Sequence, residues 1–344
     1  MSSRLTASIL ARNVRFGRCG TAQVLELVDE EVPPPHAGEV RVKVRAFGLN
    51  QAEIMFRHSY YFEKPAFPAR LEYEASGTVD AVGEGVNGFA VGDEVSLFPL
   101  ASLTRWGTWG EVVNLPADYL VRHDRPVDAI RCAAALMAFV TAHGALSGVA
   151  GMAAGDVVVI GASSSSVGLT AVALARQAGA TSIALTRTRE KRERLVAAGA
   201  DHVVVTEEED VASRIHDITG GEGAAMAFDP VGGPLLSDVM RGIRCQGVVV
   251  LYGRLDSRET VLPMQPLIGG ALTVRGFVFS DYVADSERRR KLGNKILSDL
   301  SSGILNPIID RVYPLSQIVE ANQRMESGRQ LGIIVVTIGR GDGE

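Results

Sequence analysis

Cysteine is scarce in this chain, with only Cys19, Cys132 and Cys245 in 344 residues. Three widely separated cysteines exclude a disulfide framework and a cysteine-based metal cluster, and they fit a reducing cytoplasm. A basic surface is missing too. The formal net charge is -5, the pI is near 5.8, and no basic patch is interleaved with aromatics, so nucleic acid is not an expected partner. Cys132 to Gly155 carries no formal charge and is long enough to span a bilayer. It is mostly alanine and glycine, with His143 in the middle, and reads as a buried, closely packed helix pair rather than a membrane segment. The N-terminus has no acid before Glu26 and holds Arg4, Arg12, Arg15 and Arg18, a composition shared with transit peptides. It reads instead as the first strands of the fold.

What is present begins with length, which suits two domains of roughly 100–200 residues each. The first third is punctuated by Gly and Pro and contains short alternating runs such as Glu39 to Phe47 and Gly77 to Val82, the pattern of an antiparallel β domain. After Asp156, strands are expected at Val157–Ile160, Ile183–Thr186, Val203–Val205, Ala225–Phe228, Val248–Leu251 and Leu272–Val274, with helices between most of them. Six such strands make a doubly wound parallel sheet, and the fold class is α/β. Ile308 to Ile338 reads as strand, helix and strand, returning to the first domain. The expected division is therefore residues 1–127 with 308–344, and residues 128–307.

The turn after the first of these strands carries the most chemistry. Val157–Ile160 is followed by GASSSSVG and then, from Leu169, by apolar residues at helical spacing. Such a turn points backbone N–H groups and a helix N-terminus at one place, where a dinucleotide pyrophosphate binds. The G-x-G-x-x-G pattern reads Ser163, Ser165 and Gly168 here. Serine is small enough for close approach and can donate to phosphate, provided φ stays negative. The alternative is a serine-rich turn of an ordinary α/β protein. Ser163, Ser164, Ser165, Ser166, Val167 and Gly168 are thus candidate cofactor contacts. Past the next strand stand Thr186, Arg187, Thr188 and Lys191, where an NAD site carries an acid and an NADP site offers cations. Arg187 and Lys191 could clamp a 2′-phosphate, whereas Arg189, Arg192 and Arg194 read as a solvated helix face.

The chain resembles the medium-chain dehydrogenase/reductase superfamily, and within it the zinc-independent quinone oxidoreductase group. The resemblance rests on residues 24–53, 71–95, the VTA step at 140–142, the serine loop, LVAAGADHVV at 195–204, FDPVGG at 228–233 and residues 314–336. It implies a GroES-like β domain, a Rossmann domain binding NADPH, and commonly a homodimer. It also implies that Asn50, Tyr73 and Met137 stand where zinc relatives carry metal ligands, and this trio cannot replace them. The structural-zinc lobe would fall near residues 96–111, where there is no cysteine. No metal is expected.

Without a Lewis acid, the hydride acceptor must spread the arriving charge itself, as a quinone or conjugated enone does, and a hydrogen-bond donor then suffices. In the related enoyl-thioester reductases a tyrosine occupies the spacing of Tyr61. Tyr61, with Tyr60 as second choice, is therefore a candidate catalytic group, the alternative being an aromatic pair that anchors the loop. Asn50 could bond substrate or ribose, or satisfy a turn. Thr141 matches the family threonine beside the nicotinamide. Tyr252, Gly253, Phe277 and Val278 follow the fifth and sixth strands, where Rossmann ligands cross. His58, His123 and His143 read as structural or surface residues. The expected function is NADPH-dependent reduction of a small quinone or enone. An enoyl-thioester reductase of fatty-acid or polyketide metabolism and a non-catalytic NADPH-binding protein stay as alternatives.

Overall fold

Alternation in Glu39–Gly48 (EVRVKVRAFG) places Val40, Val42 and Val44 on a buried face, and this strand organises the first part of the molecule. The computed structural model describes residues 7–71, 73–100 and 102–339. These fall into two compact units, one running up to Met137 and resuming at Val283, the other Ala138–Tyr282.

In the first unit, Glu39–Gly48 pairs antiparallel with Ala75–Val82 along one edge. Its other edge takes Val112–Pro116 beside its first half and the C-terminal strand Ile333–Thr337 beside its second, with Val335 opposite Gly48. Register shifts after Arg41 and Val44 let one strand serve three partners. Ile9–Phe16 pairs with Leu25–Val32 in a separate two-stranded sheet, as the reading of the N-terminus expects. The unit's limits differ from the expected boundaries at 127 and 307. Helix Ser286–Ser302 goes with the β strands: the Arg289 guanidinium lies 4.3 Å from the Tyr119 ring, and a Cβ on Gly293 would stand 2.5 Å from Val121.

The second unit holds six parallel strands in the order 202–205, 181–186, 157–160, 224–229, 243–251 and 273–276. Runs such as VVVI are apolar without alternation because helices cover both faces. Val159, Ile183, Leu185, Val204, Ile215, Leu236 and Val249 form its core, each full burial contributing roughly 1.5–3 kcal/mol. The strand order reverses between 157–160 and 224–229, so a crevice opens at their carboxyl ends. The uncharged stretch 132–155 is broken into Ala129–Ala133, Leu136–His143 and a π-helical Gly144–Val149. Among the described residues no helix is long and apolar enough to cross a membrane.

Candidate active site

In the parallel-sheet unit the serine turn is tight, and its serines do different work. Ser163 is fully buried; its hydroxyl donates to Ile160 O at 2.6 Å and its Oγ accepts Leu185 N–H at 3.1 Å. It therefore straps the first strand to the second and is not a phosphate donor. Ser165 caps helix Ser166–Ala178, with φ -76° and Oγ accepting Gly168 N–H at 3.0 Å. The left-handed residue is Ala162, at φ 46°, so both serines avoid the conformation that would demand glycine. Gly168 is required for space: a Cβ there would lie 2.6 Å from Ser163 Cα and 2.7 Å from Ala162 O. The first-turn N–H groups, including those of Ser166 and Val167, are the donors a helix leaves over for an anion.

The second strand, Thr181–Thr186, delivers the cations to the same end of the sheet. Lys191 Nζ donates to Ser164 Oγ at 3.0 Å, across 27 positions of chain. Arg187 is exposed and makes no ion pair or hydrogen bond among the described residues. Arg189 instead pairs with Glu208 at 2.6 Å, and Arg192 with Glu209. Thr186 is buried just before them. On the far side of the crevice Asp229 accepts from Val231 and Gly232 N–H, and Tyr252 stacks on Phe228 at 4.0 Å. The buried Tyr252 hydroxyl meets no partner at hydrogen-bonding distance, and burial raises its pKa well above the usual value. A Cβ on Gly253 would stand 2.8 Å from Pro230 O. An unpaired hydroxyl, close-approach glycines and a helix N-terminus fit a dinucleotide. Elsewhere in this unit Thr141 is buried on helix Leu136–His143, Phe277 packs against Tyr282 and Val278 is 45% exposed. His143 stacks on Phe139 and meets the Tyr282 hydroxyl at 3.3 Å, a structural role.

The first unit holds the other candidates, and here the sequence reading missed the centre. Asn50, the N-cap of helix Gln51–Arg57, takes its N–H to Glu53 Oε2 at 2.7 Å and its Nδ2 to Glu74 Oε1 at 3.0 Å. Glu74 Oε2 accepts Met137 N–H at 2.9 Å. Asn50 and Met137, two of the three positions that the resemblance matches to zinc ligands, thus both donate to the carboxyl of Glu74, which is fully buried, while the third, Tyr73, precedes it in the chain. Glu53 is equally buried, and its Oε1 has no partner. Burial, reinforced by the nearby Glu74 carboxyl and opposed by Asn50 N–H, holds the Glu53 pKa well above the usual carboxylate range. Burial pushes Glu74 up to about 7. Three N–H groups of Asn50, Met137 and Leu136 favour the Glu74 anion, whereas at Glu53 burial favours the protonated form. Only the capping pattern Asn50-x-x-Glu53 signalled either acid.

Tyr61 lies beyond that helix, half-buried, and its oxygen accepts the Tyr73 hydroxyl at 2.7 Å. Tyr60 is 80% exposed and stacks on His58.

Comparison with known proteins follows the same division. Residues 36–125 match the alcohol dehydrogenase GroES-like domain and residues 166–295 the zinc-binding dehydrogenase family. The chain is 26% identical to quinone oxidoreductase 1 of Escherichia coli strain K12 over 321 residues, covering 92% of this chain and 97% of that protein. The chain belongs to the medium-chain dehydrogenase/reductase superfamily, in its quinone oxidoreductase group. A mycobacterial protein solved in complex with NADPH is 26% identical, with a TM-score of 0.86 over 95% of this chain and 99% of that one. Erythronolide synthase EryA2 of Saccharopolyspora erythraea is 32% identical over 307 residues, 88% of this chain but 8% of the synthase. This oxidoreductase therefore has the fold of nicotinamide-dependent enzymes. The zinc in one family's description does not fit its residues: Asn50 spends its amide on Glu74, burial holds Tyr73 as a neutral phenol, and Met137 contributes its N–H. Among the described residues no group of three or more His, Cys, Asp or Glu could hold a metal ion.

Proposed function

We propose that the protein reduces a quinone or an α,β-unsaturated carbonyl with NADPH. The observation that carries the reading is the Tyr73–Tyr61 hydroxyl pair beside the filled zinc positions. A phenol replaces the metal as the group that meets developing negative charge, so the acceptor must delocalise most of that charge itself. The cofactor, when bound, supplies the hydride. The serine turn and Gly168 receive its pyrophosphate, Arg187 and Lys191 its 2′-phosphate, and Thr141, Tyr252, Gly253, Phe277 and Val278 surround the nicotinamide. Tyr61 donates its proton to the acceptor oxygen.

NADPH oxidation is expected with a naphthoquinone, an orthoquinone or a small enone, and Tyr61→Phe should lower kcat by about 10²-fold while Tyr60→Phe leaves it within two-fold, roughly the scale of a surface change. Silence with every acceptor sinks the proposal. An enoyl-thioester reductase is the second reading, favoured by the identity to a segment of erythronolide synthase EryA2; it requires an enoyl-CoA to outrun the free enones. Tight NADPH binding without turnover would point to a non-catalytic binding protein.

The chain is also proposed to form a homodimer. The edge strand Thr273–Gly276 exposes most of its residues, and in the preceding segment Val261, Met264 and Ile268 are 63%, 58% and 70% exposed. An open edge together with exposed apolar side chains invites pairing with its own copy. Light scattering should give twice the 36.6 kDa chain mass, and Ile268→Glu with Val261→Glu should halve it. A monomeric wild type contradicts the assembly.

A further inference from the structure

We infer that Tyr73, at the position of a zinc ligand in metal-dependent relatives, is the positioning residue that readies Tyr61 to give up its proton. The inference deepens the proposed reductase reading and rests on it. Tyr73 is 1% exposed, so its hydroxyl has one fixed surrounding, and it donates to Tyr61 Oη at 2.7 Å. Because Tyr73 is the donor, the proton of Tyr61 stays free for another acceptor. When the hydride reaches the substrate, its carbonyl oxygen becomes an enolate or hydroquinone anion. Tyr61 then forms the new O–H bond there, and the electron pair of its broken O–H bond stays on Tyr61 Oη. Bound NADPH would supply the hydride and leave as NADP⁺, and Tyr61 is later reprotonated from water. The phenolate left on Tyr61 keeps the Tyr73 bond, which strengthens as it becomes charge-assisted. The pair thus favours the state after proton transfer over the state before it, as a catalytic donor must.

The surroundings support this division. Tyr73 follows the fully buried Leu71 and adjoins Glu74, so its backbone is anchored at the start of strand Ala75–Val82. Tyr61 sits on the half-exposed segment between helix Gln51–Arg57 and Leu71, where a ligand can reach it. The ionisable groups that face the pair are Glu53, whose protonated form burial favours, and Glu63, which accepts Leu103 N–H at 2.7 Å and the Ser102 hydroxyl at 3.2 Å. A negative Glu63 opposes the Tyr61 phenolate, which makes the Tyr73 donation more necessary.

The test compares wild type, Tyr73→Phe, Tyr61→Phe and the double variant as intact proteins with NADPH and the best acceptor. Tyr73→Phe should lower kcat roughly 10- to 100-fold, the scale of one charged hydrogen bond, leave the KM for NADPH unchanged and move the alkaline limb of the kcat profile upward. It should have no further effect in the Tyr61→Phe background. Additive losses, or an unmoved alkaline limb, overturn the inference. Tyrosine labelled with ¹³C at Cζ gives a readout without turnover. Tyr61→Phe, at a half-exposed position that folding tolerates, should shift the Tyr73 resonance, and an unshifted one overturns the pairing. A wild type inactive with all acceptors would defeat the reductase reading, while the labelled spectra would still decide whether the pair exists.

Discussion

Replacing both Arg187 and Lys191 by alanine is expected to lower kcat/KM for NADPH by about 10³-fold while changing that for NADH only a few-fold. Each charge-assisted bond to a phosphate contributes about 1.5–3 kcal/mol, so two lost together correspond to roughly 10²- to 10⁴-fold. Arg187 is exposed and without a partner among the described residues, so it meets a phosphate with no prior ion pair to break. Lys191 already reaches the serine turn through Ser164. Arg189→Ala is the control: its guanidinium is engaged by Glu208, and its loss should leave the cofactor ratio unchanged. Steady-state kinetics with both cofactors decides the matter; equal losses for NADPH and NADH would contradict a 2′-phosphate clamp.

Thermal stability of the wild type is expected to fall as pH rises through neutrality, and Glu53→Gln should flatten that fall. The native state holds protons on buried carboxyls that the unfolded chain releases near 4.5. Between 4.5 and the raised native value it therefore binds more protons than the unfolded chain, and stability decreases with pH. For Glu74, raised to about 7, the loss accumulates to on the order of 3 kcal/mol by pH 8. Glu53, which burial raises well above the usual carboxylate range, adds to the same loss. Glutamine keeps an oxygen for Asn50 N–H and has no proton to lose, and it relieves Glu74 of a neighbouring acid. His123, which burial pushes below its ordinary value, acts oppositely, adding stability as pH rises toward the ordinary imidazole value. The informative quantity is thus the difference between wild type and variant, followed by circular dichroism from pH 5 to 9. The Tm difference should grow in favour of Glu53→Gln with rising pH, and parallel curves would refute the assignment of the proton.

The sheet was legible because its strands are short β-branched runs between helices with helical periodicity; Val157–Ile160 matches to the residue. Strand 243–251 begins earlier than expected because Ile243, Arg244 and Cys245 precede a bulge at which Gln246 turns left-handed, and such an interruption has no local apolar signature. The serine turn was placed correctly, yet its division of labour was not visible. A serine that donates inward to Ile160 and one that caps a helix look alike in sequence. The carboxyl pair was least legible, since nothing local in the sequence distinguishes Glu53 and Glu74 from surface acids, and only tertiary packing buries an acid completely. Asn50 was legible as either a ligand contact or a turn residue; it caps helix Gln51–Arg57, with its amide and N–H bonded to those two acids.

The pairing of Val335 with Gly48 sets an order of events during synthesis. The central strand of the first unit cannot gain the neighbour Ile333–Thr337 until the intervening parallel-sheet unit has been synthesised, whereas every strand of the parallel sheet lies in one continuous stretch and is available earlier. Domains otherwise tend to fold in the order they emerge. Here the inserted unit can finish first, and the unit split around it in sequence closes after it, over the long stretch between its two parts. A truncation before Ile333 would consequently strand the N-terminal sheet with an open edge while leaving the nucleotide fold's own strands complete.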